Sequence, residues 1–181
     1  MAALATVYVY AERIFPPAIT ATCAEDLAAA RALNPSTTQA ADVCLQKILV
    51  ASDLINLNCA SGAGPGSASR VLMFGDSNAA HYVGIVATFA RHAGFRFRNF
   101  EVGSCPPIIG DVTEFVPPKR LAACTESQKI WARAIDGAEV VILGGTWSGY
   151  HHRSSKFLPT LQSEVRRHVA MGKSVLILGK V

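Results

Sequence analysis

Short apolar runs alternate with longer segments of helical spacing from residue 70 to the end of the chain. The apolar runs predict four strands, at about residues 70–74, 95–101, 139–143 and 174–178. The helical spacing predicts three helices between them, at about residues 78–92, 121–136 and 157–171. Because strands that alternate with helices over short links form right-handed crossovers, the pattern predicts an α/β fold with a doubly wound parallel sheet.

The region before residue 70 lacks this alternation and divides into two parts. Residues 1–21 are an apolar head and linker, and the apolar stretch itself, Met1 to Tyr10, is too short to cross a bilayer because a spanning helix needs about 20 apolar residues. We expect this head to be either the end of a transmembrane helix or a short element of the domain. Residues 22–69 are a cysteine-containing extension with two predicted helices and a Gly/Ser linker, at about residues 24–33, 40–56 and 61–69.

The first candidate for chemistry is Gly75-Asp76-Ser77, which we call the first motif. It lies between a predicted strand and a predicted helix, so Ser77 falls on a tight turn at the carboxyl end of the strand. Unpaired backbone N–H groups at a helix start can receive a developing negative charge on a substrate oxygen. The alternative is an ordinary turn in which Asp76 or Ser77 only caps the helix.

Two further segments follow predicted strands in the same way. The second motif is Gly-Ser-Cys-Pro-Pro at 103–107, and the third motif is Gly-Gly-Thr-Trp-Ser at 144–148. Ligands of open parallel sheets bind beyond the carboxyl ends of the strands, so we expect all three motifs to meet at one edge of the sheet.

Together the three motifs resemble those of the SGNH hydrolase superfamily. The likeness is narrower to the extracytoplasmic SGNH domain of membrane acyltransferase-3 proteins, which O-acylate bacterial surface glycans. It covers about residues 70–181, which would be a partial SGNH domain. The resemblance implies a three-layer, flavodoxin-like doubly wound parallel sheet that acts on O-acyl groups, O-acetyl above all.

The resemblance also implies roles for particular residues. Ser77 would be the nucleophile, and the backbone N–H groups of Ser77 and Gly103 would receive the oxyanion. Many relatives use an asparagine side chain of the third motif as a further donor, but this chain has Thr146 and Trp147 there. That departure fits the acyltransferase-linked domains and leaves the third donor open. The predicted substrate wall comprises Asn78, His81, Thr146 and Trp147.

The catalytic base is missing from the motif pattern. A serine hydroxyl needs a histidine that takes its proton and a carboxylate that orients the histidine. Relatives supply both in an Asp-x-x-His element near the C-terminus, and this chain contains no such element. We therefore expect the final strand and helix of the fold to be missing and the fragment to be inactive by itself. His81, His151 and His152 are the alternatives to this interpretation.

Five cysteines are many for a cytosolic protein, yet they form no C-x-x-C or Cys/His cluster, so no metal site is predicted. The resemblance implies a disulfide between Cys105 and Cys124 across a proline-rich loop. The pairing of Cys23, Cys44 and Cys59 stays open. The alternative is that all five are reduced and buried.

Composition excludes some functions. Half of the residues are hydrophobic, the net charge is +4, and the basic residues are scattered, which argues against a nucleic-acid partner. No cofactor is predicted. The expected partners are an acylated carbohydrate and a membrane acyltransferase domain of the same full-length chain. This membrane domain would tether the SGNH domain to the bacterial inner membrane, on its periplasmic side.

Two rival functions remain. One is a non-catalytic glycan-binding domain that keeps the fold without the triad. The other is a phosphate or nucleotide binder that uses the first motif as an anion site, although the chain has neither G-x-G-x-x-G nor a P-loop lysine.

Overall fold

The computed structural model describes residues 43–62 and 70–179. The strands are β1 (Leu45–Gln46), β2 (Ala60–Gly62), β3 (Val71–Gly75), β4 (Arg96–Val102), β5 (Val140–Gly144) and β6 (Ser174–Ile177). The α-helices are α1 (Val83–Ala93), α2 (Pro118–Asp136), α3 (Trp147–Arg153) and α4 (Phe157–Ala170). Short 3₁₀ helices span Ala51–Leu54, Leu57–Cys59 and Ala79–Tyr82.

The strands form one mostly parallel sheet in the order β1-β4-β3-β5-β6. Strand β2 pairs antiparallel with β4 outside this path. In the centre, β3 pairs in parallel with both β4 and β5, and the four strands predicted from the apolar runs are all present. The predicted fold class, a doubly wound parallel α/β sheet, is confirmed.

Each face of the sheet has its own apolar core. Phe74 and Phe100 point to the face covered by α2 and α4, where Trp131 is completely buried. Met73 and Phe97 lie in the separate core under α1. Successive strand residues point to opposite faces, so the buried strands read as continuous apolar runs and the sheet is the middle of three layers.

The predicted helix at about 40–56 is wrong over the residues that the structure describes. Residues 45–46 are β1, and a 3₁₀ helix follows. Tertiary partners take the backbone donors of this segment: Cys44 N donates to Asn99 Oδ1 at 2.8 Å, and Leu49 N donates to Ser127 Oγ at 3.0 Å. Helical spacing in the sequence could not reveal these distant acceptors.

Other boundaries differ by smaller amounts. Residues 61–62, predicted as the start of the linker, belong to β2, and the rest of the linker lies outside the described residues. The helix predicted from residue 78 begins as a 3₁₀ turn and becomes α-helical at Val83. Helix α3 was not predicted. The predicted helix at about 24–33 and the apolar head also lie outside the described residues, and the division at residue 70 stays a prediction.

Two disulfides close loops beside β4. Cys105 bonds to Cys124, as the resemblance implies, and Cys44 bonds to Cys59. The alternative of reduced cysteines is therefore wrong for these four residues, while Cys23 lies outside the described part. Among the described residues, no helix is long and apolar enough to cross a membrane.

Candidate functional site

The first and third motifs approach each other through two glycines at paired strand ends. Gly75 of β3 is the register partner of Gly144 of β5. A Cβ atom on Gly75 would lie 1.8 Å from the Gly144 carbonyl oxygen, and one on Gly144 would lie 2.6 Å from the Cβ of Ala79. No side chain fits at either position, so glycine lets the turn carrying Ser77 pack directly against the third motif.

The carboxylate of Asp76 joins these two motifs. It is 2 % exposed and accepts hydrogen bonds from the backbone N–H of Asn78 at 2.7 Å and of Thr146 at 2.9 Å. The Tyr150 hydroxyl donates to the same carboxylate at 2.6 Å. Burial, and then the charge of Asp76, raises the pKa of Tyr150 above its ordinary value, so the phenol remains a donor. Asp76 therefore holds the turn that carries Ser77 against the third motif.

The Asn78 side chain completes this network. Its Nδ2 donates to Asp76 Oδ1 at 3.3 Å and also to the Thr146 hydroxyl oxygen. Asn78 therefore links the turn that carries Ser77 to the third motif through its side chain.

A cavity of about 150 Å³ opens beside this network. It is lined by Asp76, Ser77, Ser104, Phe115, Pro117, Thr146, Gly149, Tyr150 and Arg153. Ser77, Ser104 and Thr146 come from the first, second and third motifs respectively. Residues of all three motifs thus line one space beyond the carboxyl ends of the strands.

Gly103, the predicted second oxyanion donor, does not line this cavity. Its backbone N–H donates to the Gln46 carbonyl at 3.3 Å and extends the ladder between β1 and β4. The neighbouring Ser104 lines the cavity and has a left-handed backbone with φ of 62°, which is uncommon for a residue other than glycine.

Of the predicted substrate wall, Thr146 lines the cavity, and the other three residues do not. Asn78 is engaged with Asp76 and Thr146, and His81 is exposed. The Trp147 indole donates to the Leu178 carbonyl at 2.6 Å and stacks on Phe157, with ring centroids 6.3 Å apart. Trp147 therefore anchors α3 to the core.

None of the five histidines of the chain, all within the described residues, lines the cavity. The four exposed ones are His81, His92, His151 and His152. His168 is fully buried, with Nε2 3.1 Å from Glu164 Oε1. Burial opposes ionisation of Glu164, but hydrogen bonds from His168 and Arg167 lower its pKa. Over the described part of the chain, no group of His, Cys, Asp or Glu could hold a metal ion.

The loop between Cys105 and Cys124 supplies the apolar wall of the cavity. Phe115 packs edge to face on Phe157, with ring centroids 5.3 Å apart. Glu114 accepts hydrogen bonds from Ser154 at 2.7 Å and Lys156 at 2.6 Å, and these bonds lower the pKa of its carboxyl. The loop is therefore attached to α3 and α4 as well as closed by its disulfide.

Six of the residues that line the cavity were not predicted from the sequence to belong to the site. They are Ser104, Phe115, Pro117, Gly149, Tyr150 and Arg153. Tyr150 follows Thr146 by four residues, a spacing that places two side chains on one face of a helix. This spacing is informative only if residues 147–153 are already predicted to be a helix. Phe115 and Pro117 come from a loop whose path no local pattern specifies.

Comparison with known proteins adds to this geometry. The chain matches the family described as "SGNH domain (fused to AT3 domains)" over residues 43–181. No curated protein matches it. Among solved structures it is similar to the periplasmic domain of a lipopolysaccharide acetyltransferase from Salmonella ser. Paratyphi A, with 16 % identity and a TM-score of 0.55.

That alignment covers 77 % of this chain and 52 % of the Salmonella chain, so this chain spans about half the length of that structure. At this identity the likeness shows the fold, which agrees with the mostly parallel sheet described above. The family match extends over more than half of the chain. The chain therefore belongs to the family of SGNH domains that are fused to AT3 domains.

Proposed function

We propose that this domain carries an acyl group, acetyl in the first instance, as an ester on Ser77. It then transfers this acyl group to a hydroxyl of a cell-surface glycan. The observation that carries the proposal is the single cavity lined by Ser77, Ser104 and Thr146, one residue from each motif. The family's acyltransferase-3 fusions supply the chemical context. The second domain of such a fusion would deliver the acyl group from the membrane.

The proposed reaction has two steps, acylation of Ser77 and transfer of the acyl group from Ser77 to an acceptor. The Ser77 oxygen forms a bond to the acyl carbonyl carbon, the bond from that carbon to the leaving oxygen breaks, and the serine proton passes through a base to the leaving oxygen. A sugar hydroxyl, or water in an esterase, then attacks the acyl-serine and returns the proton to Ser77.

Both steps pass through a tetrahedral oxyanion. Its first donor in this proposal is the Ser77 N–H. Because the Gly103 N–H already donates to the Gln46 carbonyl, the N–H of Ser104 is the donor that we infer from the second motif. The left-handed φ of Ser104 supports this role, since alternating backbone conformations at a turn expose successive N–H groups to an anion.

The general base in this proposal is the Asp-x-x-His element of the family, a pattern that does not occur in residues 1–181. We place the domain outside the cytoplasm, beside a membrane acyltransferase domain. The two disulfides support this location because such bonds persist in oxidising compartments.

The experiment tests Ser77 acylation in this chain. The chain is treated with p-nitrophenyl acetate in the presence of imidazole, which substitutes for the missing base, and acetylated residues are mapped by peptide mass spectrometry. We expect one rapidly acetylated site, Ser77. Ser77→Ala should abolish it, and Ser148→Ala, which removes an exposed serine of the third motif, should leave it unchanged.

Equal acetylation in wild type and Ser77→Ala would disprove the acyl-serine. It would favour the non-catalytic glycan-binding domain, for which binding of O-acetylated glycan fragments without any change in their acetyl content is the expected result.

A further inference from the structure

The hydroxyl of Thr146 occupies a defined place in the hydrogen-bond network of the cavity. Its oxygen accepts a hydrogen bond from Asn78 Nδ2. The same Nδ2 donates to Asp76 Oδ1 at 3.3 Å. A carboxylate only accepts hydrogen bonds, so the nitrogen and not the oxygen of the Asn78 amide faces this pair.

This arrangement determines the direction of the bond to Thr146. Both hydrogens of the Asn78 amide are used, one by Asp76 and one by the Thr146 oxygen. A hydroxyl has a single hydrogen and two lone pairs, so Thr146 accepts with its oxygen and still has its own hydrogen to donate. Within residues 43–62 and 70–179, no protein acceptor takes that hydrogen.

The backbone of Thr146 cannot take the same role. Its N–H donates to Asp76 Oδ2 at 2.9 Å, and the Tyr150 hydroxyl donates to the same oxygen at 2.6 Å. Of the two donors of Thr146, only the hydroxyl remains available to a ligand. Because Thr146 lines the cavity together with Ser77, a ligand held at Ser77 lies in the same space.

We propose that the Thr146 hydroxyl donates a hydrogen bond to the oxyanion that forms when Ser77 attacks an acyl carbonyl, and that Asn78 is its positioning residue. The inference rests on the proposed function. By donating to the Thr146 oxygen, Asn78 polarises the hydroxyl and strengthens it as a donor, since hydrogen bonds in a chain reinforce one another. Asp76 in turn holds the Asn78 amide in place.

The test compares rates of Ser77 acetylation by p-nitrophenyl acetate, with imidazole present, over a range of ester concentrations. Thr146→Val keeps the shape and removes the hydroxyl. We expect its maximal rate to fall about 100-fold, the range for loss of one oxyanion donor, with the half-saturating ester concentration unchanged. Thr146→Ser keeps the donor and should stay within a few-fold of wild type. Asn78→Ala should fall about tenfold.

Each alternative outcome has one meaning. If wild type is not acetylated at Ser77, the proposed function fails and this inference fails with it. If wild type is acetylated and Thr146→Val is equally fast, only the inference is overturned. If Thr146→Ser is as slow as Thr146→Val, the threonine acts by packing and the donor role is overturned.

Thr146→Val leaves one Asn78 hydrogen without an acceptor and could lower stability, so thermal unfolding of each variant is measured in parallel. If Thr146→Val does not fold, Thr146→Cys is compared with Thr146→Ser. The thiol is a much weaker donor than a hydroxyl, and we expect the maximal rate of Thr146→Cys to be at least tenfold lower than that of Thr146→Ser. Equal rates for these two variants would also overturn the inference.

Discussion

The two sides of the cavity are held together by different kinds of interaction. On the side of the first and third motifs, the Asp76 carboxylate accepts hydrogen bonds from Asn78, Thr146 and Tyr150. On the side of the second motif, Cys44–Cys59 joins the segments of β1 and β2, which both pair with β4, and Cys105–Cys124 closes the loop after β4. The first side is held by hydrogen bonds to the buried Asp76 carboxylate, and the second side is held by two disulfide bonds.

The two sides also differ in how their buried carboxyl groups are hydrogen-bonded. Glu101, at the end of β4, is fully buried, and apart from its own backbone N–H neither of its carboxyl oxygens has a hydrogen-bond partner among the described residues. Burial raises its pKa to about 8. A buried carboxylate needs donors, and a buried carboxyl without them stays protonated. The two sides should therefore respond differently to mutation, reductant and pH.

The largest effect is expected from removing the close contact between the first and third motifs. Gly75→Ala places a methyl group 1.8 Å from the Gly144 carbonyl oxygen, so the strand ends must separate. We expect a loss of more than about 3 kcal/mol in the free energy of unfolding, measured by urea denaturation. The matched control is Gly84→Ala, where a Cβ meets nothing within 4 Å in α1. It should gain about 0.5–1 kcal/mol.

A smaller effect is expected from opening the second-motif side. The double variant Cys105→Ser/Cys124→Ser should lose about 3 kcal/mol in the free energy of unfolding. The two cysteines are 19 residues apart, which is close to the loop of about 15 residues for which this value is expected. Cys44→Ser with Cys59→Ser should cost about the same, since its separation of 15 is close to 19. Only the first pair should also slow Ser77 acetylation, because its loop carries Phe115 and Pro117. Equal slowing by both pairs would contradict this division.

The pH dependence should reveal Glu101. Its folded pKa lies above its ordinary value of 4.5, so its contribution is complete below pH 4.5 and is lost as pH rises toward about 8. Glu101→Gln cannot ionise. We expect it to match wild type near pH 4.5 and to be the more stable protein by roughly 2 kcal/mol at pH 6, with the difference growing as the pH rises toward about 8.

Urea midpoints at several pH values check this expectation for Glu101. Glu139→Gln, which removes an exposed carboxylate, should show no such divergence from wild type. Parallel pH curves for wild type and Glu101→Gln would mean that Glu101 is ionised when folded.

The smallest effect is expected from a single hydroxyl. Tyr150→Phe removes one donor to Asp76 and leaves the others, so we expect a loss of about 1.5 kcal/mol, the low end for a hydrogen bond to a charged group. Tyr82→Phe is the matched control, because the Tyr82 hydroxyl is buried without a partner among the described residues. Its removal should be neutral or stabilising. Equal losses would show that Asp76 does not depend on Tyr150.

Sequence pattern alone determined the central layer of this protein. Strands such as Val71–Gly75 and Val140–Gly144 are buried on both faces, so their continuous apolar runs were visible without any knowledge of their neighbours. The position of Ser77 at a strand-to-helix turn followed from the same local information. The motifs were enough to indicate the family.

Tertiary structure alone decided which groups meet in the cavity. Two partners of Asp76, Thr146 and Tyr150, lie 70 and 74 residues away along the chain, and Cys44 donates to an asparagine 55 residues away. Hydrogen-bond partners at such distances leave no periodic trace, because periodicity records only which face of its own element a residue occupies. For that reason the sequence could locate Ser77 and Thr146, but only the folded chain shows that Thr146 has a hydroxyl hydrogen to give.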